Sequence, residues 1–282
     1  MKPLVIAGPT GAGKSDVALE IAAAYGATVV SMDAMQVYRG MDIGTAKVPI
    51  AARLAVPHRC IDVRNPDEPF SAADFVAEAD AVSGPVILCG GTPFYLRAWL
   101  LGLVPAPPED LALRAELETL PDPHARLTEV DPVLAARLHP NDRMRVIRGL
   151  EIHALTGRRL SDIHAEDPHQ RRDAEVVWLD REDLYEGLDQ RVDAMMAAGY
   201  LDEVRGLLDA GYGPELKPMQ SLGYRHLAAH LLGRLPLAEA VELTKRDTRQ
   251  LARKQRSFLR SLGLSPQTDL KIAAAGTFLK GR

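Results

Sequence analysis

The chain has 282 residues, of which 46% are hydrophobic and 26% are charged, and its formal net charge at pH 7 is -4. This hydrophobic content is sufficient for the core of one large domain or two modest ones. The slightly negative total excludes a surface evenly coated with positive charge, so a nucleic-acid site would have to come from a local cluster of basic residues.

No stretch of the sequence predicts secretion or a membrane span. The apolar run at residues 4–7 is too short for a secretory signal, and the longer run at residues 92–108 is interrupted by an arginine, a glycine and several prolines. The two cysteines, Cys60 and Cys89, lack the spacing of metal ligands and are typical of small buried side chains in a reducing compartment. We expect a monomeric protein of the cytoplasm.

The first ninety residues alternate apolar runs with stretches of helical composition. Strands are predicted at residues 3–7, 27–31, 58–63 and 85–89, and helices at residues 16–25 and 72–82. This rhythm is typical of βαβ units, so the sequence predicts a parallel sheet flanked by helices.

A fifth predicted strand, at residues 175–179, is separated from the first four by a stretch of helical composition. We therefore predict that residues 109–172 form a mainly helical insertion domain, and that residues 1–108 and 173–282 form the core domain. The later part of the core is predicted to be helical at residues 184–208, 224–231 and 237–262.

A phosphate-binding loop lies between the first predicted strand and the first predicted helix. It fits the pattern G-x-x-x-x-G-K-[ST] and consists of Gly8, Pro9, Thr10, Gly11, Ala12, Gly13, Lys14 and Ser15. In such a loop, backbone N–H groups converge on phosphate oxygens, Lys14 reaches a phosphate and the Ser15 hydroxyl can bind Mg²⁺. The predicted fold is therefore α/β, with a P-loop NTPase-like sheet. The loop alone does not distinguish a nucleoside triphosphate from a diphosphate ester.

Residues that follow other strands are predicted to face this loop. Asp33 follows the second strand and Gly90-Gly91-Thr92 ends the fourth, and in open α/β sheets this carboxyl edge binds ligands. Asp33 could act as a general base toward an acceptor, or could cap the next segment. The two glycines could admit a ligand close to the backbone, or could serve a plain strand-to-helix turn. Asp62 could hold Mg²⁺ or have a structural role.

Two segments concentrate positive charge. Residues 245–260 carry seven basic residues and one acid, and on a helix five of the basic residues would line one face: Lys245, Arg249, Arg253, Arg256 and Arg260. The shortage of acids favours a surface for a phosphate backbone over an ordinary solvated face. The predicted insertion contains a second basic cluster, which several acids dilute. Together they indicate an enzyme that binds a large polyanion.

These and further motifs resemble the tRNA dimethylallyltransferase family, also called tRNA isopentenyl transferases. The similar stretches extend over roughly residues 3–260 and include the phosphate-binding loop and residues 31–33, 38–47, 57–59, 71–75, 90–92, 139–142, 223–225 and 248–252. Residues 40–47, together with residues 223–225, are far more specific than the loop.

The resemblance implies transfer of a dimethylallyl group from dimethylallyl diphosphate to the exocyclic N6 amine of the adenosine that follows the anticodon of tRNA, with release of diphosphate. Asp33 would be the general base, and Lys14 and Thr92 would complete the catalytic residues. Mg²⁺, bound through Ser15, would be the cofactor. The target base would leave its stack and enter the crevice from the side opposite the allylic donor.

The resemblance also implies a set of tRNA contacts. These are Asp33, Ala34, Met35, Gln36, Thr92, Arg114, Met144, Arg145, Val146, Ile147, Arg148, Gln220, Ser221, Leu222, Gly223, Tyr224 and Arg225, to which the basic segment adds Arg249 and Arg253. Arg225 could alternatively bind the diphosphate. The insertion domain would hold the anticodon stem-loop.

Two other functions share some of these features. A P-loop small-molecule or nucleotide kinase would use the same loop to transfer a phosphoryl group from ATP. A non-catalytic RNA-binding module would use the loop as a switch, and in such a protein the loss of the Asp33 carboxylate would change nothing.

Overall fold

The computed structural model describes residues 2–166 and 171–267. The chain divides into two compact units, of which the first runs to Leu100 and resumes at Arg172, and the second is Leu101–Arg171. Among the described residues, no helix is long and apolar enough to cross a membrane.

The first unit is built on one parallel sheet of six strands. They are β1 (Leu4–Ala7), β2 (Thr28–Ser31), β3 (His58–Arg59), β4 (Val86–Gly90), β5 (Glu175–Leu179) and β6 (Pro266–Gln267). Their order is β3-β2-β4-β1-β5-β6, and every neighbouring pair is parallel. All four residues of β1 are buried, because this strand lies inside the sheet between β4 and β5. The carboxyl ends of β1, β2 and β4 therefore meet at one edge.

Thirteen helices are found in the described residues. They are α1 (Lys14–Tyr25), α2 (Ile50–Ala55), α3 (Ala72–Asp80), α4 (Pro93–Leu101), α5 (Leu111–Glu118), α6 (Pro123–Val130), α7 (Pro132–Ala135), α8 (Arg143–Thr156), α9 (Leu160–Glu166), α10 (Leu184–Ala197), α11 (Tyr200–Asp209), α12 (Tyr224–Leu231) and α13 (Leu237–Ser261). α1 and α10 pack on the sheet through a shared apolar core that includes Ala18, Ile21, Leu184 and Leu188.

The second unit consists of the five helices α5 to α9 around their own core. Asp-Pro pairs start two of these helices: the Asp122 carboxylate accepts a hydrogen bond from the Ala125 N–H, and Asp131 accepts one from the Leu134 N–H. Proline is well suited to the first helical position because it has no N–H to leave unpaired there. α8 supplies Val146 to the core. Helices are the only regular secondary structure among the described residues of this unit, where the sequence predicted a mainly helical insertion at residues 109–172.

The third strand is shorter than predicted. The apolar run at residues 58–63 indicated a strand along its whole length, but only His58–Arg59 pairs with β2. Cys60 and Asp62 have φ angles of 59° and 55°, which are left-handed conformations that end an extended strand. The Val63 N–H then bonds to the Val37 carbonyl at 2.9 Å instead of continuing the sheet.

The helix predicted at residues 184–208 is two helices. Gly199 lies between α10 and α11 with a φ of 100°, a conformation that glycine reaches without the clash a side chain would cause. α10 therefore ends before Gly199, and α11 begins at the buried Tyr200.

Candidate active site

The phosphate-binding loop connects β1 to the N-terminus of α1. Gly11 and Gly13 have φ angles of 81° and 79°, and a Cβ atom on Gly11 would lie 2.7 Å from Leu188 Cδ2. A Cβ atom on Gly8 would lie 2.1 Å from the Leu179 carbonyl oxygen, so this glycine lets the loop pass close to β5. The glycines of the motif are therefore required by backbone conformation and by close packing.

Lys14 is the first residue of α1, and its ammonium group donates a hydrogen bond to the Pro9 carbonyl at 2.7 Å. Burial lowers the pKa of Lys14 below its ordinary value, the nearby Cys89 and Asp33 oppose that shift, and the positive charge of Arg191 adds to it. The free energy of this ammonium ion would be lowered by an anion bound beside it, such as a phosphate group.

A cleft of about 580 Å³ opens at the carboxyl edge of the sheet, inside the first unit. It brings together these residues of the predicted site: Thr10, Gly11, Gly13, Lys14, Ser15, Asp33, Ala34, Met35, Gln36, Thr92, Ser221, Leu222 and Tyr224. Segments that lie far apart in the sequence thus line one cavity, as the strand-end positions predicted.

Asp33 follows β2 and Thr92 follows β4, and both residues line the cleft. The Asp33 Oδ1 atom accepts a hydrogen bond from the Met35 N–H at 2.8 Å, so one carboxylate oxygen does hold the turn at residues 33–36. Within the described residues, the other oxygen, Oδ2, accepts no hydrogen bond. The Thr92 hydroxyl oxygen accepts a hydrogen bond from the Ala34 N–H at 3.0 Å. The capping function and a chemical function of Asp33 are therefore compatible.

Gln255 connects the phosphate-binding loop to the end of β4, and the sequence did not indicate it. Its side-chain oxygen accepts a hydrogen bond from the Thr10 N–H at 2.9 Å, and its amide nitrogen donates one to the Gly91 carbonyl at 2.7 Å. The side chain is buried on α13, in line with Ala252 and Leu259. A polar residue on the apolar face of an amphipathic helix is the sequence signal that could have identified it.

The comparisons with protein-family models identify the family. Residues 36–262 match the model described as IPP transferase, and residues 1–63 match the model described as isopentenyl transferase. The chain belongs to the IPP transferase family. The resemblance inferred from the motifs is confirmed.

Curated relatives agree with this membership. The tRNA dimethylallyltransferase of Syntrophobacter fumaroxidans is 47% identical over 277 residues, which cover 92% of this chain and 80% of that protein. The tRNA dimethylallyltransferase 1 of Citrifermentans bemidjiense is 46% identical over 272 residues, which cover 92% and 89% of the two chains. Neither relative is named as a kinase, so the kinase alternative is not favoured.

Solved structures show the same fold. A eukaryotic dimethylallyltransferase described as acting on tRNA superposes with a TM-score of 0.83 at 27% identity, over 100% of this chain and 80% of that chain. The full-length tRNA isopentenylpyrophosphate transferase of Bacillus halodurans superposes with a TM-score of 0.66 at 32% identity, over 99% and 96% of the two chains. The prediction of a P-loop-like parallel sheet flanked by helices is confirmed.

In this IPP transferase, the glycines at the end of β4 are explained by packing. A Cβ atom on Gly90 would lie 2.1 Å from the Met32 carbonyl oxygen, and one on Gly91 would lie 2.6 Å from Gln255 Nε2. The Met32 backbone excludes a side chain at Gly90, and a side chain at Gly91 would displace the Gln255 amide, so close approach of a ligand is not needed to account for either glycine.

Glu203 fixes one wall of the cleft and was also missed by the sequence analysis. Its carboxylate on α11 accepts hydrogen bonds from the N–H groups of Asp42, Ile43 and Gly44 at 2.7, 2.6 and 3.0 Å. It also accepts one from the Tyr224 hydroxyl at 2.6 Å. The two most specific stretches of the family resemblance, residues 40–47 and 223–225, are thus joined through one carboxylate.

Two roles were predicted for Asp62, and its contacts favour the structural role. Its carboxylate accepts hydrogen bonds from Lys47 at 2.5 Å and from Arg53 at 2.6 Å, and it does not line the cleft. Burial alone would raise the pKa of Asp62, but these two hydrogen bonds lower it below its ordinary value. These ion pairs and the position outside the cleft favour the structural role, and nothing in this geometry favours binding of Mg²⁺ by Asp62.

The basic face of α13 has acidic partners, contrary to the expectation from the sequence. Lys245, Arg249 and Arg256 form ion pairs with Asp193, Asp189 and Asp180, and the guanidinium groups of Arg253 and Arg260 lie over the rings of Tyr185 and Trp178. Counting acids within residues 245–260 missed these partners, because they come from α10 and the end of β5. Binding of tRNA by Arg249 and Arg253 stays a prediction, and neither residue lines the cleft.

The predicted tRNA residues on α8 differ in exposure. Met144 is 82% exposed, and the Arg145 side chain is 73% exposed. Val146 and Ile147 are buried in the core of the helical unit, so their side chains are not available for contact with RNA. The sequence motif contains residues from both faces of α8, and only the packing of the helix shows which face is buried.

Glu151 lies at the centre of the helical unit and holds two of the predicted tRNA-binding arginines. Its carboxylate accepts hydrogen bonds from Arg114 Nη2 at 3.0 Å and from Arg148 Nη1 at 2.5 Å, and one from the Asp110 N–H at 2.7 Å. Burial alone would raise the pKa of Glu151, but the arginine hydrogen bonds lower it below its ordinary value of 4.5. Arg114 and Arg148 therefore stabilise this unit.

Replacing Glu151 by glutamine is expected to lower the free energy of unfolding at pH 7 by roughly 3–5 kcal/mol, because two partly buried arginines lose their counter-ion. The folded-state pKa is below 4.5, so the stabilisation is complete above pH 4.5 and is lost as the pH falls through the folded-state value. Denaturant titrations across this range test both statements. Glu129→Gln, at an exposed pair with Arg126, is the control, and equal effects would contradict the prediction.

The stretch from Gln220 to Arg225 contains side chains with different surroundings. Gln220 is exposed, Ser221 Oγ is buried without a hydrogen-bond partner in the described residues, and Gly223 is closely packed against Tyr200. Arg225 forms an ion pair with Asp247, and it is not part of the cleft lining. This pairing gives no support to the alternative in which Arg225 binds the diphosphate.

Replacing Gln255 by alanine is expected to lower the free energy of unfolding by about 1–3 kcal/mol, because the Thr10 N–H and the Gly91 carbonyl lose their buried partner. Chemical denaturation measures this difference. Gln250→Ala is the matched control, since Gln250 is exposed on the same helix and should change stability by less than about 0.5 kcal/mol. Equal effects of the two substitutions would show that the bridge has no energetic role.

Proposed function

We propose that this enzyme transfers a dimethylallyl group from dimethylallyl diphosphate to the N6 amine of the adenosine 3′-adjacent to the anticodon in tRNA, and releases diphosphate. The observation that supports this most directly is the cleft in which the phosphate-binding loop, Asp33 and Thr92 come together in a member of the IPP transferase family. The loop then holds a leaving group, and Asp33 faces the acceptor.

The reaction forms a bond from N6 to the first carbon of the dimethylallyl group and breaks the bond from that carbon to the diphosphate oxygen. The N6 amine is a poor nucleophile because its lone pair is delocalised into the purine. We propose that the free oxygen of Asp33, Oδ2, accepts the proton that N6 loses. The Thr92 hydroxyl, which accepts from the Ala34 N–H, can donate its own hydrogen to a group in the cleft.

Departure of diphosphate places negative charge on oxygens that the loop already surrounds. The backbone N–H groups of the loop, the N-terminus of α1 and the Lys14 ammonium group are donors for this charge. Such stabilisation of developing charge is generally the largest contribution to catalysis of this kind.

The residues present fit Mg²⁺ as a substrate-bound ion. Ser15 offers one hard oxygen ligand beside Lys14 in the cleft, and within the described residues no cluster of three or more His, Cys, Asp or Glu side chains could hold a metal. Mg²⁺ keeps several waters and takes phosphate oxygens, so one protein hydroxyl suffices. When bound, it would supply positive charge to the diphosphate.

We propose that the helical unit, Leu101–Arg171, binds the anticodon stem-loop. Met144 and Arg145 are the exposed candidates on α8, whereas Arg114 and Arg148 hold Glu151 in place. Action as a monomer in the cytoplasm remains a prediction from the sequence.

The test uses unmodified tRNA with an adenosine after the anticodon, dimethylallyl diphosphate labelled in the allyl group, and Mg²⁺. We expect label in the tRNA, and nucleoside digestion followed by mass spectrometry should place the dimethylallyl group on that adenosine. A matched tRNA with guanosine at the same position is the control and should remain unlabelled. Equal labelling of both tRNAs, or of neither, would refute the proposed function.

A further inference from the structure

Phe94 is an exposed aromatic residue next to the residues that line the cleft. Its side chain is 54% exposed, and no other phenylalanine, tyrosine or tryptophan is exposed among residues 2–166 and 171–267. It is the second residue of α4 and comes directly after Thr92 and Pro93, which both line the cleft. None of the sequence motifs predicted a role for it. A large apolar ring therefore lies in solvent beside the part of the cleft that the proposed reaction uses.

The buried side of α4 holds the backbone of Phe94 in place. Five of the nine residues of this helix are buried: Tyr95, Leu96, Ala98, Trp99 and Leu100. The Tyr95 ring stacks on the Phe75 ring, with 4.7 Å between the two ring centroids. An aromatic side chain on such a helix loses little conformational entropy when a ligand packs on it, because only its own torsions become fixed.

Arg97 shares the exposed face of α4 with Phe94. It follows Phe94 by three residues, so the two side chains lie on the same side of the helix. Arg97 is exposed, and its guanidinium group has no ion pair or hydrogen bond within the described part of the chain. Arg249 and Arg256 on α13, by contrast, are paired with acids. A ring and an unpaired cation on one face suit single-stranded RNA, because the ring stacks on a base and the cation binds a phosphate.

The small apolar area of this face favours RNA over a protein partner. Phe94 is the only large apolar side chain that is exposed on α4, and Arg97 beside it is charged. A stable protein interface buries about 800 Å² on each partner, whereas a single base covers one ring.

The start of α4 is also connected to a segment that is predicted to contact the tRNA. The Thr92 hydroxyl oxygen accepts the hydrogen bond from the Ala34 N–H, in the turn at residues 33–36. The exposed face of α4 therefore lies next to the side of the cleft that the acceptor would enter.

We propose that Phe94 stacks on a base that adjoins the target adenosine, and that Arg97 binds a phosphate of the same loop. This inference rests on the proposed function, since it assigns the neighbours of the extruded nucleotide to one face of α4. When the adenosine enters the cleft, the adjoining base loses a stacking partner, and the Phe94 ring takes the place of that partner. Phe94 is thus a positioning residue, with no part in proton transfer or in departure of diphosphate.

The test measures binding of a synthetic, unmodified anticodon stem-loop to the full-length protein by fluorescence anisotropy. For Phe94→Ala we expect the Kd to rise by about fivefold to a hundredfold, as for loss of an aromatic ring that stacks on a base. Phe94→Tyr should bind nearly as the unchanged protein does, because it keeps the ring, and Phe94→Leu should lose most of the affinity that Phe94→Ala loses. Leu54→Ala is the matched control, since Leu54 is 84% exposed on α2 and its loss should leave the Kd unchanged.

Stem-loops that lack one base identify the stacked nucleotide. Two such RNAs are compared, with the base removed on the 5′ side or on the 3′ side of the target adenosine. We expect one of them to bind the unchanged protein more weakly and to show no further loss with Phe94→Ala, as for two groups that contact each other. Arg97→Gln should lower the slope of log Kd against log salt concentration by about one, as for loss of one phosphate contact.

Steady-state kinetics separate this inference from its alternatives. In Phe94→Ala we expect the KM for tRNA to rise while the KM for dimethylallyl diphosphate is unchanged, because the phosphate-binding loop is not altered. An unchanged Kd in Phe94→Ala and Phe94→Leu would overturn the inference, and so would a loss that Phe94→Tyr shares in full. An unchanged salt slope in Arg97→Gln would overturn the phosphate contact. Absence of stem-loop binding and of transfer by the unchanged protein would instead refute the proposed function.

Discussion

Replacing Asp33 by asparagine is expected to lower kcat by about 10²- to 10⁴-fold while leaving the Kd for tRNA nearly unchanged. Asparagine keeps an oxygen that can accept the Met35 N–H at the position of Asp33 Oδ1, so the turn at residues 33–36 should persist. What it removes is the ability to accept a proton from the N6 amine. The effect should therefore appear in the chemical step.

Single-turnover transfer assays and a tRNA binding isotherm test this prediction together. Asp33→Ala removes both the base and the turn, so we expect it to weaken tRNA binding as well as turnover. The control is Asp173→Asn, at an exposed pair with Lys2, which should match the unchanged enzyme. Normal turnover by Asp33→Asn would exclude Asp33 as the general base and leave it only the structural function.

Replacing Lys14 by methionine is expected to lower kcat/KM by roughly 10²-fold or more, comparable with the loss of other donors that stabilise developing charge. Methionine keeps most of the length of the side chain and removes the ammonium group. Because charge on the diphosphate grows during the reaction, kcat should fall as well as the affinity for the donor. Rapid-quench measurements at saturating dimethylallyl diphosphate separate these two effects.

The matched control for this experiment is Lys2→Met, since Lys2 is exposed before the start of β1 and pairs with the exposed Asp173. Its kinetics should be unchanged. If Lys14→Met raised only the KM for the donor and left kcat unchanged, Lys14 would stabilise the bound substrate and the transition state to the same extent. Full activity would refute the assignment of the loop as the holder of the leaving group.

The sequence predicted those features of the fold and site that local patterns determine. Four short apolar runs and a glycine-rich loop were enough to predict the parallel sheet. The patterns that indicate a strand, a turn or a helix each depend on residues close together in the sequence. The positions of Lys14, Asp33 and Thr92 on one cleft followed from the rule that parallel strands end at one edge. Their chemical roles remain predictions.

What the sequence could not predict depends on pairing across the chain. Gln255 bonds to the loop residue Thr10, which lies 245 residues earlier in the sequence. Glu203 joins residues 40–47 to residues 223–225 and lies on a helix between these two motifs in the sequence. The acids that pair with the basic face of α13 lie on α10 and at the end of β5, so counting charges within one segment gave the wrong expectation. The motif predicts Val146 and Ile147 as RNA contacts, although their side chains are buried, because a motif records residue types and does not record which face of a helix is buried.

The central claim is that the phosphate-binding loop holds the diphosphate of an allylic donor and does not serve phosphoryl transfer from ATP. The most direct measurement offers the protein both donors side by side with unmodified tRNA: dimethylallyl diphosphate labelled in the allyl group, and ATP labelled in the γ-phosphate. We expect label from the allyl group in tRNA, and none from ATP in tRNA or in any small acceptor. Transfer of the γ-phosphate label, with no allyl label reaching tRNA, would contradict the claim.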